Sequence, residues 1–147
     1  MKIAVGSDMD TFLTKVVVEE LQKMGHEVKL FGAFLETPAL WSKVAIEVAR
    51  KVSDGTFDQA VLFCWTGTGI AIAANKVPGI RAALCQDAET ARGARKWNNA
   101  NVLAMSLRVM SEHIAKEILH AWFETEPSTD QEDVDSLDYL QQMDGNL

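Results

Sequence analysis

The sequence VLFCWTGTGIAIAANK, residues 61–76, decides how the rest of the chain is organised. Three apolar residues lead to Cys64, a loop containing Gly67 and Gly69 follows, and small apolar residues complete the stretch. This order is typical of a buried parallel strand that leads through a loop into a helix. Such a junction directs several backbone N–H groups into one small space, where negative charge is favoured. The stretch therefore predicts a thiol beside an anion-binding cradle.

The composition is that of one ordinary globular domain with no membrane partner. Of the 147 residues, 48% are hydrophobic and 24% are charged, and this length is sufficient for one core. No apolar run approaches membrane-spanning length, and the start, Met1–Gly6, is too short to be a signal peptide. Both cysteines, Cys64 and Cys85, end apolar runs, so we expect free thiols in a cytoplasmic protein.

The charge of the chain is concentrated at its C-terminal end. The net charge is −7, and the residues from Glu126 onward contain seven acidic side chains but no Lys or Arg. A chain that is acidic overall and has no basic patch is a poor ligand for nucleic acid. We therefore predict a domain over residues 1–126, followed by an acidic C-terminal extension over residues 127–147.

Short apolar runs alternate with helical periodicity along the domain. The predicted strands are Lys2–Gly6, Val28–Phe31, Ala60–Phe63, Ile80–Cys85 and Val102–Met105. Helices are predicted from Phe12 to Met24, from Ala39 to Val52, over the small residues that follow the glycine loop, from Ala88 to Lys96, and after a cap at Ser111. This alternation, with right-handed crossovers, predicts an α/β fold with a five-stranded parallel sheet covered on both faces.

In such a sheet, ligands bind beyond the carboxyl ends of the strands. This rule selects Asp8, the segment Cys64–Gly69 and the segment Cys85–Asp87 as the rim of one crevice. A thiol, backbone N–H groups and one carboxylate suit the removal of a proton beside a carbonyl, because the N–H groups stabilise the enediolate that forms. Taken alone, glycines after a strand more often serve tight packing than catalysis, and a lone cysteine is more often a buried small side chain than a base.

Other site chemistries find no support in the residue pattern. The glycine loop lacks the Gly-Lys-Ser/Thr ending of a P-loop and the spacing of a dinucleotide fingerprint. The three histidines, His26, His113 and His120, have no ligand spacing, so we expect no metal. No Ser-His-Asp arrangement is apparent either.

Several motifs, in order along the chain, together resemble one family. They are Gly6-Ser7-Asp8, Cys64-x-Thr66-Gly67-x-Gly69, Ile72-Ala73-Ala74-Asn75-Lys76, Gly79-Ile80-Arg81-Ala82-Ala83, Asn98-x-x-Asn101-Val102-Leu103-Ala104 and Arg108-Val109. Over residues 1 to about 124 the chain resembles the ribose-5-phosphate isomerase B family, which includes the galactose-6-phosphate isomerase subunits. The resemblance implies a Rossmann-like three-layer α/β/α sandwich and aldose–ketose isomerisation through a cis-enediolate. It also implies a homodimer or tetramer with sites between subunits, and no cofactor.

The resemblance also implies roles for individual residues. Cys64 would be the base that moves the proton, and Thr66 would assist proton exchange on the substrate oxygens. The amides of the segment Gly67–Gly69, which includes Thr68, would bind the developing anion. Asp8 and Asn98 would hold sugar hydroxyls. Arg108 would reach a phosphate in the partner's site.

The chain departs from the family pattern at positions that handle ring opening and phosphate. No histidine follows Asp8, and the loop tyrosine expected before Pro38 is Thr37. The ring-opening histidine is replaced by Trp97, and a loop glycine is replaced by Trp65. The C-terminal arginines that would grip a phosphate have no counterpart in the acidic tail.

These departures predict an isomerase of a carbohydrate other than ribose 5-phosphate. Trp65 and Trp97 would place aromatic faces near the crevice, where they stack on the substrate or serve packing. A phosphorylated substrate would have to be held through other cations, namely Arg81, Arg92, Arg95 or Arg108. Two alternatives remain open: a non-catalytic or partner-dependent sugar-binding subunit, and an isomerase of a non-sugar hydroxy-carbonyl compound.

Overall fold

The computed structural model describes residues 1–36 and 38–144. Five strands and six helices follow one another in the order β1 (Lys2–Ser7), α1 (Phe12–Lys23), β2 (Glu27–Gly32), α2 (Trp41–Ser53), β3 (Gln59–Cys64), α3 (Thr68–Ala74), β4 (Ala82–Leu84), α4 (Ala88–Asn98), β5 (Val102–Ser106), α5 (Glu112–Glu124) and α6 (Gln131–Asp144). Thr37, which replaces the expected loop tyrosine, lies outside the described residues.

The five strands form one parallel sheet in the order β2-β1-β3-β5-β4, which confirms the predicted fold class. Helices α1, α4 and α5 cover one face and helices α2 and α3 cover the other, giving a Rossmann-like three-layer α/β/α sandwich. The strands alternate between the two cores, so that Phe63 packs on the first face and Leu62 on the second.

Two predicted element boundaries differ from the structure. The fourth strand is shorter than Ile80–Cys85, because the backbone N–H of Arg81 donates to the Asn101 side chain, 2.9 Å away, before the ladder begins. Helix α2 begins at Trp41 rather than Ala39, and Leu40 precedes it in an extended conformation without a side-chain cap.

The strand order places a topological switch point between β1 and β3. The chain passes from β1 outward to β2 on one side, and from β3 to the edge strand β4 and back to β5 on the other. The register pairs Ser7 with Phe63, so Asp8 and Cys64 follow at neighbouring strand ends. Crevices at switch points are the usual ligand sites of open α/β sheets. The fold therefore singles out the carboxyl ends of β1 and β3.

The predicted rim segment Cys85–Asp87 does not belong to this crevice, and that part of the prediction is wrong. Strand β5 lies between β3 and β4, so the end of β4 is one strand further away. The Cys85 side chain is fully buried in the core. Asp87 caps α4, accepting a hydrogen bond of 2.7 Å from the backbone N–H of Thr90.

Helix α6 lies on the outside of the sandwich. None of its residues is buried. The segment that leads into it is held by a 2.7 Å hydrogen bond from the N–H of Ser128 to the carbonyl of Lys96, and its last residue, Asp144, accepts from the N–H of Gly79. The acidic extension thus contains a helix, while the division of the chain after residue 126 stays a prediction. Residues 145–147 of the extension lie outside the described part.

Across the described ranges, no helix is both long and apolar enough to span a bilayer.

His120 of α5 contacts two carboxylates, Glu20 of α1 and Glu124 of its own helix. Its Nε2 lies 3.0 Å from Glu20 Oε1, and its Nδ1 lies 3.2 Å from Glu124 Oε1. The hydrogen bonds to Glu20 and then Glu124 raise the pKa of His120 above its ordinary value. The protonated ring therefore stabilises the contact between these two helices.

This contact predicts a pH-dependent stability. A histidine whose pKa is higher in the folded state contributes fully below its unfolded pKa of about 6.5 and loses that contribution as pH rises through the folded pKa. We expect His120→Gln to lower the thermal midpoint at pH 6 and to have a smaller effect at pH 9. His113→Gln is the control, because that side chain is exposed on the same helix and 4.0 Å from its neighbour Glu112. A His120→Gln deficit that is independent of pH would contradict the assignment.

Candidate active site

Cys64 is the last residue of β3 and lies at the centre of the sheet's carboxyl edge. Its backbone pairs with Ser106 at the end of β5, and its carbonyl accepts from the N–H of Leu107 at 3.0 Å. The residue is 5% exposed and its side chain packs among the residues beneath α2 and α3. The predicted thiol therefore stands on a strand that is held by β5 on one side and, up to Phe63, by β1 on the other.

The loop after Cys64 is held in place by main-chain contacts with the end of β5. The carbonyl of Trp65 accepts from the Ser106 hydroxyl and from the N–H of Arg108, each at 2.9 Å. Ser106 is 2% exposed, and its oxygen also accepts from the N–H of Arg108. Sequence reasoning missed Ser106. The sequence feature that could have identified Ser106 is a hydroxyl residue at the end of a buried strand, the same position that Cys64 has in β3.

The glycine loop forms the predicted cradle of backbone amides. Gly67 precedes α3 with φ of 76°, a left-handed conformation that glycine adopts without strain. Within the part of the chain that the structure describes, the N–H groups of Gly67, Thr68 and Gly69 donate to no protein acceptor. The hydroxyls of Thr66 and Thr68 lie 2.8 Å apart. These donors remain available to an anionic oxygen.

Asp8 provides the carboxylate of the site at the end of β1. The side chain is half-buried, and burial raises the pKa of Asp8, although a hydrogen bond from its own backbone N–H opposes this effect. Its Oδ1 is buried and meets no hydrogen-bond donor among residues 1–36 and 38–144. Because a buried acceptor without a donor is costly, this oxygen is suited to a ligand hydroxyl. Asp10 instead contacts Lys15 at 3.7 Å and Thr14.

The two thiols are free, as expected, but they occupy different surroundings. Both Cys64 and Cys85 are unpaired in the described chain. Burial, with a contribution from the charge of Asp87, raises the pKa of Cys85 to about 12. A thiol with this pKa stays protonated at neutral pH and is unreactive. Cys85 is therefore a structural residue and a natural control for Cys64.

Trp97 and Asn98 lie near the amino ends of the strands, away from Cys64 within one chain, so their place in a site between subunits stays a prediction. They end α4, and Asn98 is tied by its carbonyl to Arg81 Nε at 3.0 Å, beside the start of β4. The strand that follows runs from Val102 to Ser106 before it reaches the level of Cys64. Four residues at about 3.3 Å each separate the two levels by about 13 Å.

The four arginines that could hold a phosphate lie in different parts of the molecule. Arg95 is buried against the Trp122 ring, 5.7 Å away, and Arg92 pairs with Glu89 on the surface of α4. Arg81 belongs to the edge that carries Asn98. Arg108 alone of the four stands beside the cradle, exposed and without an ion pair to any described residue.

Trp41 is a site neighbour that sequence reasoning missed. It is the first residue of α2 and 44% exposed, and its indole lies against Gly69. The signal in the sequence was a tryptophan at the start of a helix, soon after Pro38. Trp65, which was expected near the crevice, is 54% exposed and directly follows Cys64.

No cluster of three or more potential metal ligands is present in the described ranges. The histidines make their contacts elsewhere, with Met1, Phe123 and carboxylates of the helices.

A thiol, free backbone amides and a carboxylate lie together at the switch point of this doubly wound sheet, where α/β proteins bind their ligands. The family model described as Ribose/Galactose Isomerase matches residues 3–138, and the chain belongs to this family. D-erythrulose-4-phosphate isomerase of Pectobacterium atrosepticum is 40% identical over 129 residues, which cover 86% of this chain and 84% of that protein.

Two further relatives show the range of the family. The 4-deoxy-4-sulfo-D-erythrose isomerase of a Clostridium species is 34% identical over 127 residues, covering 85% of this chain and 80% of that protein. The structure of ribose-5-phosphate isomerase B from Clostridium thermocellum superposes with a TM-score of 0.92 at 35% identity, covering 99% of both chains. The fold and the kind of reaction agree with the sequence prediction.

The crowding at Gly67 predicts a larger loss of stability there than at another left-handed glycine. A Cβ at residue 67 would lie 2.5 Å from the Leu84 side chain and 3.0 Å from the Met105 carbonyl carbon. Gly55 has φ of 79° but nothing within 4 Å of the corresponding position. We expect Gly55→Ala to cost about 1–3 kcal/mol from backbone strain, and Gly67→Ala to cost about 1–3 kcal/mol more from overpacking.

Urea unfolding of the two variants measures this difference. Equal free energies of unfolding for Gly55→Ala and Gly67→Ala would show that the cradle is not crowded.

Proposed function

We propose that this chain catalyses aldose–ketose isomerisation through a cis-enediolate, with Cys64 as the base. The observation that carries the proposal is the thiol placed between a free amide cradle and an unpartnered carboxylate oxygen. Cys64, Thr66, Gly67 and Asp8 match family motifs, so the resemblance and the geometry support the same roles.

The proposed reaction moves one proton between adjacent carbons. The Cys64 thiolate removes a proton from the carbon beside the carbonyl, and the electron pair forms the carbon–carbon double bond of the enediolate. The N–H groups of the segment Gly67–Gly69 stabilise the negative oxygen. The Thr66 hydroxyl, which is hydrogen-bonded to the Thr68 hydroxyl, transfers a proton between the two substrate oxygens. Cys64 then returns its proton to the neighbouring carbon, and Asp8 holds a hydroxyl of the sugar.

The proposed substrate is a four-carbon sugar whose C4 carries an acidic group. An aldotetrose closes a five-membered ring only through its C4 hydroxyl, so a phosphate ester or a sulfonate at C4 keeps it open. Such a substrate needs no ring-opening acid, which agrees with Trp97 in place of the expected histidine. The relatives named for D-erythrulose 4-phosphate and for 4-deoxy-4-sulfo-D-erythrose support this choice. Arg108 provides one cation for the acidic group.

The proposed site is completed by a second copy of the chain. Asn98 stands about 13 Å along the sheet from the level of Cys64, so the two reach one substrate only across an interface. Large apolar side chains are exposed around the cradle, as expected for a surface that pairs: Met9, Phe12, Leu35, Leu40, Trp41, Trp65 and Val109. We propose a homodimer, or a tetramer built from it, in the cytoplasm, where both cysteines would stay reduced.

The function is tested with a panel of sugars in D2O. We expect solvent deuterium at C1 or C2 of D-erythrulose 4-phosphate, with slower exchange for ribose 5-phosphate and for unphosphorylated tetroses. Cys64→Ala removes the proton-transfer base and lowers kcat about 100- to 10,000-fold. NMR of the recovered sugars measures the exchange.

Cys85→Ala is the matched control, because it removes the other thiol outside the proposed site and leaves the exchange intact. Absence of exchange into every sugar by the wild-type protein would reject the isomerase. It would then favour a non-catalytic or partner-dependent subunit. Exchange into a non-sugar hydroxy-carbonyl compound alone would reject the substrate class but keep the chemistry.

Complementation tests the shared site. Cys64→Ala and Asn98→Ala disable opposite edges of the chain, so each hybrid dimer contains one intact site. With random pairing of an equal mixture we expect about a quarter of the wild-type activity. Cys64→Ala mixed with Arg108→Ala is the comparison. These two residues share one edge, and no activity is expected to return if Arg108 acts within its own chain.

Recovery in the second mixture would instead place Arg108 in the partner's site, as the family resemblance implies. Failure of both mixtures, with active wild-type protein, would show that each chain holds a complete site.

A further inference from the structure

Trp41 extends the apolar stripe of α2 beyond the edge of the sheet. The residues three, four and seven positions further along the helix, Val44, Ala45 and Val48, are buried on the sheet. Trp41 lies on the same face one turn earlier, where the chain has just left the carboxyl edge through the loop after β2. A large ring at this point overhangs the edge that carries the cradle.

The indole of Trp41 is in direct contact with the cradle. A Cβ built on Gly69 would lie 3.2, 3.3 and 3.4 Å from three atoms of the ring. The near-equal distances show that the ring presents its face to Gly69, and a side chain at residue 69 would require the ring to move by a few tenths of an ångström. Gly69 carries one of the free N–H groups, so the ring stands beside a donor of the proposed anion site.

The part of the Trp41 side chain that does not contact Gly69 is largely open to solvent. The residue is 44% exposed, and its indole N–H donates to none of the residues that the structure describes. Trp65, the first residue of the glycine loop after Cys64, is 54% exposed. The Trp41 ring therefore offers a flat apolar face to a carbon chain bound at the cradle.

We propose that Trp41 is a specificity-determining residue of this site, which limits the length of the bound sugar. The inference rests on the proposed function. The ring occupies the space between the start of α2 and the first turn of α3, and a smaller residue would open that space beside the cradle. Four-carbon substrates fit under the ring, whereas a fifth carbon competes with it for room.

The test compares two substrates in three variants. We expect Trp41→Ala to raise the ratio of kcat/KM for ribose 5-phosphate to kcat/KM for D-erythrulose 4-phosphate about tenfold or more, the discrimination that one extra carbon typically provides. Trp41→Phe keeps a ring and should move the ratio much less. Phe123→Ala is the control. It removes another half-buried aromatic side chain, which packs on His26 at the opposite edge, and should leave the ratio unchanged.

A spectroscopic measurement covers the case in which Trp41→Ala does not fold. In protein labelled with 5-fluorotryptophan, the Trp41 signal is identified by its loss in Trp41→Phe, and we expect it to shift with saturating D-erythrulose 4-phosphate. An unchanged ratio in folded Trp41→Ala, or an unmoved signal with active wild-type protein, would overturn the role of Trp41 and leave the proposed function intact. A wild-type protein that turns over neither sugar would overturn both.

Discussion

The parallel pairing of β3 with β1 on one side and β5 on the other is the constraint on which the site depends. The register sets Ser7 beside Phe63 and Cys64 beside Ser106, so three strand ends finish on one line. Asp8, the thiol and the turn after β5 then occupy adjacent places without any contact between their side chains being needed. Because the strands are buried on both faces, a slip of one residue would exchange the two cores. The core thus fixes the geometry of the edge.

Much of the fold could be predicted because it follows from local patterns. Apolar runs, glycines after helices, and caps such as Ser111 identify each strand and helix, and the handedness of crossovers restricts their arrangement. Strand order is different, since it depends on which strands pair over long distances. The sequence gives no local sign that β5 inserts between β3 and β4. That insertion is why Cys85 and Asp87 were wrongly assigned to the crevice.

The site could be predicted only where its residues are close in sequence. Residues 64–69 form one loop, so their proximity needs no knowledge of the fold. Trp97 and Asn98 were grouped with them through the family resemblance alone, because no local pattern links the end of α4 to the glycine loop. Trp41 and Ser106 were missed for the opposite reason: they reach the loop through packing and a hydroxyl contact across elements, and no motif marks them.

Backbone contacts hold the loop after β3 in place, so the stability of this loop does not depend on its exposed side chains. The carbonyls of Cys64 and Trp65 are bound by the turn after β5, and Gly67 faces inward against Leu84. The side chains of Trp65, Thr66 and Thr68 point to solvent and support no part of the core. Such a loop tolerates exchange of these side chains while its amides keep their positions. The architecture thus suits divergence in ligand preference, in evolution or in a randomised library, without a matching loss of folding.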